Sequence, residues 1–281
     1  MFERLRRGGE LGRAAWAVLA SSPRLALFPV ISAVVVLALS AAIGTPVLAV
    51  LGDDKTTVSS GQLAAMVVGA VFWYFACAFV IVFCNAALIG CAFRHFDGQR
   101  PTVLSGFADA GTRLPQILRW SAVASTAGLA FTVLEGLSDK INLLGQIVEG
   151  VADGGWSLVT YFVLPVVVSE GLGPVSAVRR SAAVLRRTWK ETAGGAVRIG
   201  LRLAPFALPL FGLIALLAVG IGGQSMRVVL GVVIAVYAAG FVVVVAALGS
   251  ILRAALYRYA TTGAPAGPLT TDLLQSAFAA R

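Results

Sequence analysis

The residues best suited to chemistry in this sequence are three cysteines, one histidine and a few carboxylates beside apolar runs. Cys77, Cys84 and Cys91 are spaced by seven, which places them on one stripe of a helix with about 10.5 Å between neighbours. A disulfide needs Cα atoms within about 7 Å, so these thiols cannot pair with each other or share one metal ion. We expect them to be small, soft residues at a helix contact.

The single histidine, His95, excludes a metal site built from several histidines. It lies with Arg94 and Asp97 just past an apolar run, where a solvated interface is expected. The GLG at 171–173 lacks the third glycine and the preceding strand of a dinucleotide loop, and no GxxxxGK phosphate loop occurs. We therefore expect no enzyme activity, no cofactor and no metal site.

Three polar residues in or beside apolar runs are costly if they face lipid. Asn85 lies inside the second run, Glu135 lies near the end of the third, and Glu170 closes the fourth. We expect Asn85 to hydrogen-bond across helices and Glu170 to pair with a nearby arginine. All three are candidate intramembrane polar or pore contacts.

The most basic stretch is SEGLGPVSAVRRSAAVLRRTWK at residues 169–190. Pro174 suits the start of a helix because its missing N–H costs nothing there, and we predict a basic amphipathic elbow helix over 174–192. On a helical wheel its apolar side carries Val175, Val178, Ala182, Leu185 and Trp189. The candidate lipid-phosphate contacts are Arg179, Arg180, Arg186, Arg187 and Lys190. Each basic residue near an anionic leaflet contributes about 1 kcal/mol, so a lipid anchor is expected; a specific phosphate-binding surface and a protein-partner helix are the alternatives.

The elements that position these residues follow from composition. The chain is 58% hydrophobic and 12% charged, whereas soluble domains carry roughly 25% charged residues. A membrane-spanning helix needs about 20 apolar residues. Six stretches qualify or nearly do: 25–51, 62–91, 118–137, 141–169, 203–221 and 228–252. We predict an all-α integral membrane protein, a six-helix transmembrane bundle in a single domain over 1–281, with its fourth span broken near 154–155.

The basic residues predict the orientation of this bundle. With a cytosolic N-terminus, 19 of the 22 Lys and Arg lie on the inside, and Lys55, Lys140 and Arg227 lie outside. Both termini are then cytosolic in a multi-pass protein of the cell (plasma) membrane. Apolar stripes predict cytosolic interfacial helices at 1–24 and before the third span. The second of these stripes consists of Val103, Phe107, Ala110 and Leu114.

The net charge of +9 would suggest nucleic acid in a soluble chain. Here the basic residues adjoin apolar runs, which is typical of membrane orientation and of contact with anionic lipid. We expect membrane lipids as partners, preferentially anionic on the cytosolic side, and no nucleic acid. A homo-oligomer or a membrane-protein partner stays open.

The run YFVLPVVVSEGLGPVSAVRRSAAVLRRTWKE resembles the hallmark of an uncharacterised prokaryotic family of six-span integral membrane proteins. The matching positions are Phe162, Pro165, Glu170, Gly173, Pro174, Ala177, Ser181, Leu185 and Trp189. Residues 27–32, 83–102 and 106–120 also resemble that family. A fainter likeness, in the Pro-x-x-Ala-x-x-x-Ser elbow, is to the membrane domain of some glycerophosphodiester phosphodiesterases. The sequence shows no hydrolase domain of that kind, so the resemblance implies the fold and no such activity.

Without a catalytic constellation, the sequence favours a non-enzymatic membrane protein with an accessory, scaffolding or lipid-organising role. The alternative is a transporter or channel for a small or lipidic solute, which proline-kinked spans and Asn85 would permit. A membrane enzyme acting on lipid phosphates ranks third, because an acid, a base and a metal site cannot be assembled on one face.

Overall fold

Helices make up nearly all the regular structure of the chain. The computed structural model describes residues 2–51, 59–138, 155–188, 224–271 and 273–274. Within these ranges the β-structure is confined to an isolated bridge between Ala266 and Leu269, which confirms the all-α prediction. The chain divides into two compact units, Leu27–Leu185, and Met1–Ala26 with Arg186–Arg281. The single membrane domain stays a prediction.

The helices are numbered here in chain order over the described residues. They are α1 (Phe2–Ser21), α2 (Leu27–Leu51), α3 (Ser60–Phe96), α4 (Val103–Thr112), α5 (Leu114–Ser138), α6 (Trp156–Val159), α7 (Val163–Glu170), α8 (Pro174–Thr188) and α9 (Gln224–Thr262). A short 3₁₀ helix, Pro23–Ala26, precedes α2.

Helix α3 is the centre of the unit Leu27–Leu185, where it packs against α2, α4, α5 and α7. It begins with a capping box: Ser59 Oγ accepts from the Gln62 N–H at 3.2 Å, and Gln62 Oε1 accepts from the Ser59 N–H at 2.9 Å. Residues 86–92 of α3 are all buried, and most of them are small. Small residues let neighbouring helices approach closely, so this end of α3 forms the core of the unit.

The other unit joins the two ends of the chain. Its helix α1 packs against the 3₁₀ helix and against α9. Ala15 and Val18 on α1 are buried, whereas Trp16 between them is 52% exposed. The buried and exposed positions therefore alternate as expected for a helix with one packed face.

Three helical segments are long and apolar enough to cross a membrane, namely Pro23–Thr45, Ser60–Phe96 and Met226–Thr262. A bent pair, Trp156–Glu170 with Pro174–Arg186, brings the number to four if it counts as one span. These long apolar helices indicate a membrane protein. The predicted span at 203–221 and the first part of 141–169 lie outside the described residues, so the number six stays a prediction.

Candidate functional site

The basic helix predicted at 174–192 belongs to an elbow, a name used here for residues 160–188. Helix α6 stops at Val159, and α7 starts anew at Val163. Pro165 explains this break, because it has no N–H for the carbonyl of Tyr161 and its ring crowds that carbonyl. Within the described part of the predicted fourth span, the chain is therefore broken at 160–162.

The break is closed by a buried serine. The Phe162 N–H donates to Ser181 Oγ at 3.1 Å, and both residues are fully buried. A backbone N–H left unpaired in such surroundings costs about 1–3 kcal/mol. Ser181 on α8 thus satisfies the backbone group that the break before α7 would leave exposed to the core.

The turn from α7 to α8 carries an ion pair and a glycine. Arg180 Nε donates to Glu170 Oε1 at 2.9 Å and to Oε2 at 3.1 Å, so the pairing expected for Glu170 is present. Gly171 ends α7 with φ +66°, a conformation that favours glycine. A Cβ on Gly171 would lie 2.3 Å from Arg113 Nη1, so the guanidinium of Arg113 lies directly over this glycine.

The segment that leads into α8 runs beside the start of α5. Trp156 stacks on Trp120 in the second turn of α5, with ring centroids 6.4 Å apart, whereas Gly171 lies against Arg113, just before α5. Arg113 and Trp120 are about 10 Å apart along the helix axis, to which side-chain reach adds a few ångströms. Residues 156–171 therefore run alongside about two turns of α5 before the 115° bend into α8.

Helix α8 begins at Pro174, but its packed face differs from the apolar side of the helical wheel. The buried residues are Ala177, Ser181 and Val184. On the wheel's apolar side, Val175 is 66% exposed, and Val178, Ala182 and Leu185 are half-buried. Small side chains allow α8 to pack closely here, which a ranking by hydrophobicity does not predict. The more apolar side is left partly open beside the arginines.

The basic residues of the elbow differ in exposure and in pairing. Arg179 and Arg186 are exposed on α8, and Arg180 is held by Glu170. Arg187 lies in α8, but its side chain is outside the described part, as is the whole of Lys190. In the described residues, Arg179 and Arg186 form an exposed cationic surface of two groups.

The three candidate pore residues lie on three different helices. Asn85 is half-buried in α3 between the buried Cys84 and Ala86. Glu135 lies in α5, and its side chain is outside the described residues. Glu170 is at the end of α7 with its carboxylate on Arg180. The structure thus brings Glu170 together with a basic residue of the predicted set and places Asn85 on a different helix.

A second turn at the same end of α3 is named here the α3–α4 corner, residues 94–110. Arg94 binds Asp109 through two nitrogens, Nε to Oδ2 at 2.6 Å and Nη2 to Oδ1 at 2.8 Å. A Cβ on Gly106 would lie 2.5 Å from Cys91 Sγ and 2.6 Å from Phe28 Cζ. The glycine therefore permits α4 to lie directly on α3 and on Phe28.

The apolar stripe predicted for a lipid-facing α4 partly packs into the protein. Ala110 is buried, and the Phe107 ring contacts Phe28 and Phe83 at centroid distances of 5.1 and 5.8 Å. Leu104, which the stripe does not include, is 80% exposed. The interfacial placement of α4 stays a prediction, but its lipid-facing residue would be Leu104.

The exposed basic residues of the elbow can bind anions. Among the described residues, no group of three or more His, Cys, Asp and Glu side chains comes together in a way that could hold a metal ion. Exposed guanidinium groups bind phosphate and carboxylate through paired hydrogen bonds. The elbow therefore offers a fixed, cationic surface next to partly exposed aliphatic side chains.

The sequence does not predict the contacts of two residues that build the elbow, Ser181 and Arg113. Ser181 belongs to the resembled motif, but no local pattern predicts its role, since Pro165 frees the carbonyl of Tyr161 whereas Ser181 accepts from the N–H of Phe162. Arg113 was counted only as a cytosolic charge. Its contact with Gly171 joins residues 58 positions apart, and no local pattern in the sequence reports such a contact.

Comparison with known proteins identifies a family and no close relative. No curated protein and no solved structure matches the chain. A family model described as a family of unknown function (DUF6159) matches residues 63–267. The match includes α3, α4 and α5, the elbow and α9, and covers more than half of the chain. The chain therefore belongs to the DUF6159 family.

Proposed function

We propose that this protein is a non-enzymatic, six-span integral membrane protein with an accessory, scaffolding or lipid-organising role. Both termini lie in the cytosol, the membrane is the cell (plasma) membrane, and α8 rests on its cytosolic leaflet. Its partners are membrane lipids, preferentially anionic. The observation that carries the proposal is the elbow, because it presents Arg179 and Arg186 on the same face as the exposed Val175, on a helix bent by 115° from the preceding segment.

The energetics of the elbow support a lipid anchor. Val175 is 66% exposed, and an exposed aliphatic residue beside cations is typical of a helix lying in the interface. Two exposed basic residues near an anionic leaflet contribute about 2 kcal/mol together. The likeness of Pro174, Ala177 and Ser181 to the membrane domain of some glycerophosphodiester phosphodiesterases supports a membrane role for this helix.

The lipid anchor is tested with the full chain reconstituted in vesicles of phosphatidylcholine and phosphatidylglycerol. Spin-labelled versions of each lipid report, by electron paramagnetic resonance, which lipid is motionally restricted by the protein. We expect the wild-type protein to favour phosphatidylglycerol, and the double variant Arg179→Gln, Arg186→Gln to lose most of that preference.

The matched control is Arg227→Gln, which removes an exposed arginine on the predicted opposite side of the membrane. The comparison uses vesicles in which phosphatidylglycerol is confined to the leaflet on the cytosolic side. In these vesicles Arg227→Gln should lower the preference for phosphatidylglycerol less than the double variant does. An unchanged lipid preference in the double variant would refute the anchor.

A transporter or channel for a small or lipidic solute is the second candidate, and the break at 160–162 favours it. Broken helices often form substrate sites in transporters. The discriminating variant is Asn85→Cys, treated in vesicles with a membrane-impermeant thiol reagent. The native cysteines are buried, and the unsubstituted protein gives their background reactivity. Labelling of Cys at position 85 above that background would indicate a water-filled path and would favour transport.

A further inference from the structure

A shallow, open groove of about 350 Å³ lies on the surface of α5. Its lining residues are Ala122, Val123, Thr126, Ala127 and Ala130. Thr126 donates its hydroxyl to the Ala122 carbonyl at 2.8 Å, so the groove is lined mainly by methyl groups. The groove is thus an open, apolar face of α5.

One arginine lies at the predicted cytosolic end of this groove. Arg119 precedes Val123 by four residues and Thr126 by seven, so it shares their face of α5. Its side chain is exposed, and it has no ion pair or hydrogen bond to any residue that the structure describes. Arg94 and Arg180 in the same unit each bind a carboxylate. Arg119 therefore presents an exposed guanidinium that is available to bind an anion from outside the described part of the chain.

We propose that Arg119 and the α5 groove bind one phospholipid of the cytosolic leaflet. The guanidinium binds the lipid phosphate, and one acyl chain lies along the groove from Ala122 to Ala130. This inference rests on the proposed orientation of α5, with Leu114 at the cytosolic end, and does not depend on the elbow.

The dimensions fit a lipid that occupies one leaflet. Arg119 and Ala130 are eleven residues apart, about 16 Å along the helix, which is about half of the 30 Å hydrocarbon core. Helical side chains tilt toward the N-terminus, so the guanidinium extends away from the groove and toward the headgroups. Long basic side chains near helix ends in membranes reach the interface in this way.

The charge at the end of the groove selects a lipid over a second copy of this chain. A helix from another copy would leave Arg119 uncompensated unless it brought a carboxylate to the same depth. A phospholipid supplies both parts at the correct spacing, since its phosphate adjoins its acyl chains and guanidinium binds phosphate with two hydrogen bonds. The phosphate is common to zwitterionic and anionic lipids, so both classes fit.

The test is native mass spectrometry of the full chain in mild detergent, with added dioleoyl phosphatidylglycerol or dioleoyl phosphatidylcholine. Two variants address the site: Arg119→Gln removes the cation, and Ala127→Leu fills the groove. We expect each to weaken retention of one bound molecule of either lipid about tenfold.

Two matched controls remove charge or add bulk elsewhere in the same unit. Arg100→Gln loses an exposed cation at the same predicted end, and Ala64→Leu enlarges an exposed residue on α3. Both should retain lipid as the wild-type protein does. Because Arg119 is exposed, Arg119→Gln should fold normally. Its lipid retention decides the test even if Ala127→Leu does not fold.

Three results would overturn the proposal: lipid retention by Arg119→Gln equal to wild type, an equal loss in both controls, or no retained lipid in the wild-type protein. A change in the dimer fraction of Ala127→Leu without a change in lipid retention would also overturn it and would identify a second copy as the occupant. The anchor test at Arg179 and Arg186 measures a different surface, so either proposal can fail while the other stands.

Discussion

The α3–α4 corner and the elbow both turn the chain at the end of α3, yet they are stabilised differently. Each has an arginine–carboxylate pair and a glycine against which another group packs. At the corner, Gly106 lies against the core atoms of Cys91 and Phe28. At the elbow, the hydroxyl of Ser181 satisfies a broken backbone at Phe162. The corner depends on close packing and the elbow on a buried hydrogen bond, so the two should respond to different substitutions.

The largest effect is expected at the corner. Gly106→Ala places a methyl group within 2.6 Å of two side-chain atoms and 3.1 Å from the Ala87 carbonyl. Overpacking of this kind should lower the free energy of unfolding by about 3 kcal/mol, measured by denaturant titration in detergent. Gly111→Ala is the control, because nothing lies within 4 Å of its Cβ position on the same helix. Equal stability of the two variants would contradict the packing explanation.

The elbow should be most sensitive to loss of its hydroxyl. Ser181→Ala leaves the Phe162 N–H buried without an acceptor and should lower the free energy of unfolding by about 2 kcal/mol. Hydrogen exchange at the Phe162 amide should speed up in parallel. Ser176→Ala, at an exposed position on the same helix, should have little effect on either measurement. An unchanged exchange rate in Ser181→Ala would show that another group satisfies this amide.

The smallest effects are expected at the ion pairs, because both arginines are 41% exposed. Arg94→Gln should lower the free energy of unfolding only slightly and Arg180→Gln less, since Arg94 binds its carboxylate through two nitrogens and Arg180 through one. The cost should shrink in high salt. Free energies of unfolding measured at low and high ionic strength test this order. A loss of stability in either arginine variant that exceeds the loss in Ser181→Ala would contradict the expected ranking.

The sequence predicts the helical class, the start of α3 near residue 62 and the start of α8 at Pro174, because these depend on hydrophobic length and on proline; the end of α3 lies beyond the predicted residue 91, at Phe96. It also predicts a basic partner for Glu170, since the arginines follow within one helix. It does not predict the Arg94–Asp109 pair, which depends on the angle between α3 and α4. The groove at Ala122–Ala130 depends on which face of α5 remains uncovered, and that is decided by packing.

The packed face of α8 shows that a helical wheel does not report which face of a helix is buried in a membrane protein. Ala177 and Ser181 rank below Leu185 in hydrophobicity, but small side chains allow closer contact between helices. A wheel groups the large apolar residues of α8 on one side, but it does not show that the small residues Ala177 and Ser181 face the protein. In a membrane protein the large apolar residues can face lipid, so hydrophobicity alone does not distinguish the two faces.

The guanidinium of Arg113 over Gly171 is the group that would have to move for a new side chain at 171. Such a side chain meets the positive φ of position 171 and the far end of a flexible arginine, which can shift aside. The backbone conformation is therefore the larger obstacle, and shortening residue 113 does not remove it. Among diverged copies of this chain, glycine at 171 should be kept both where residue 113 is arginine and where it is short.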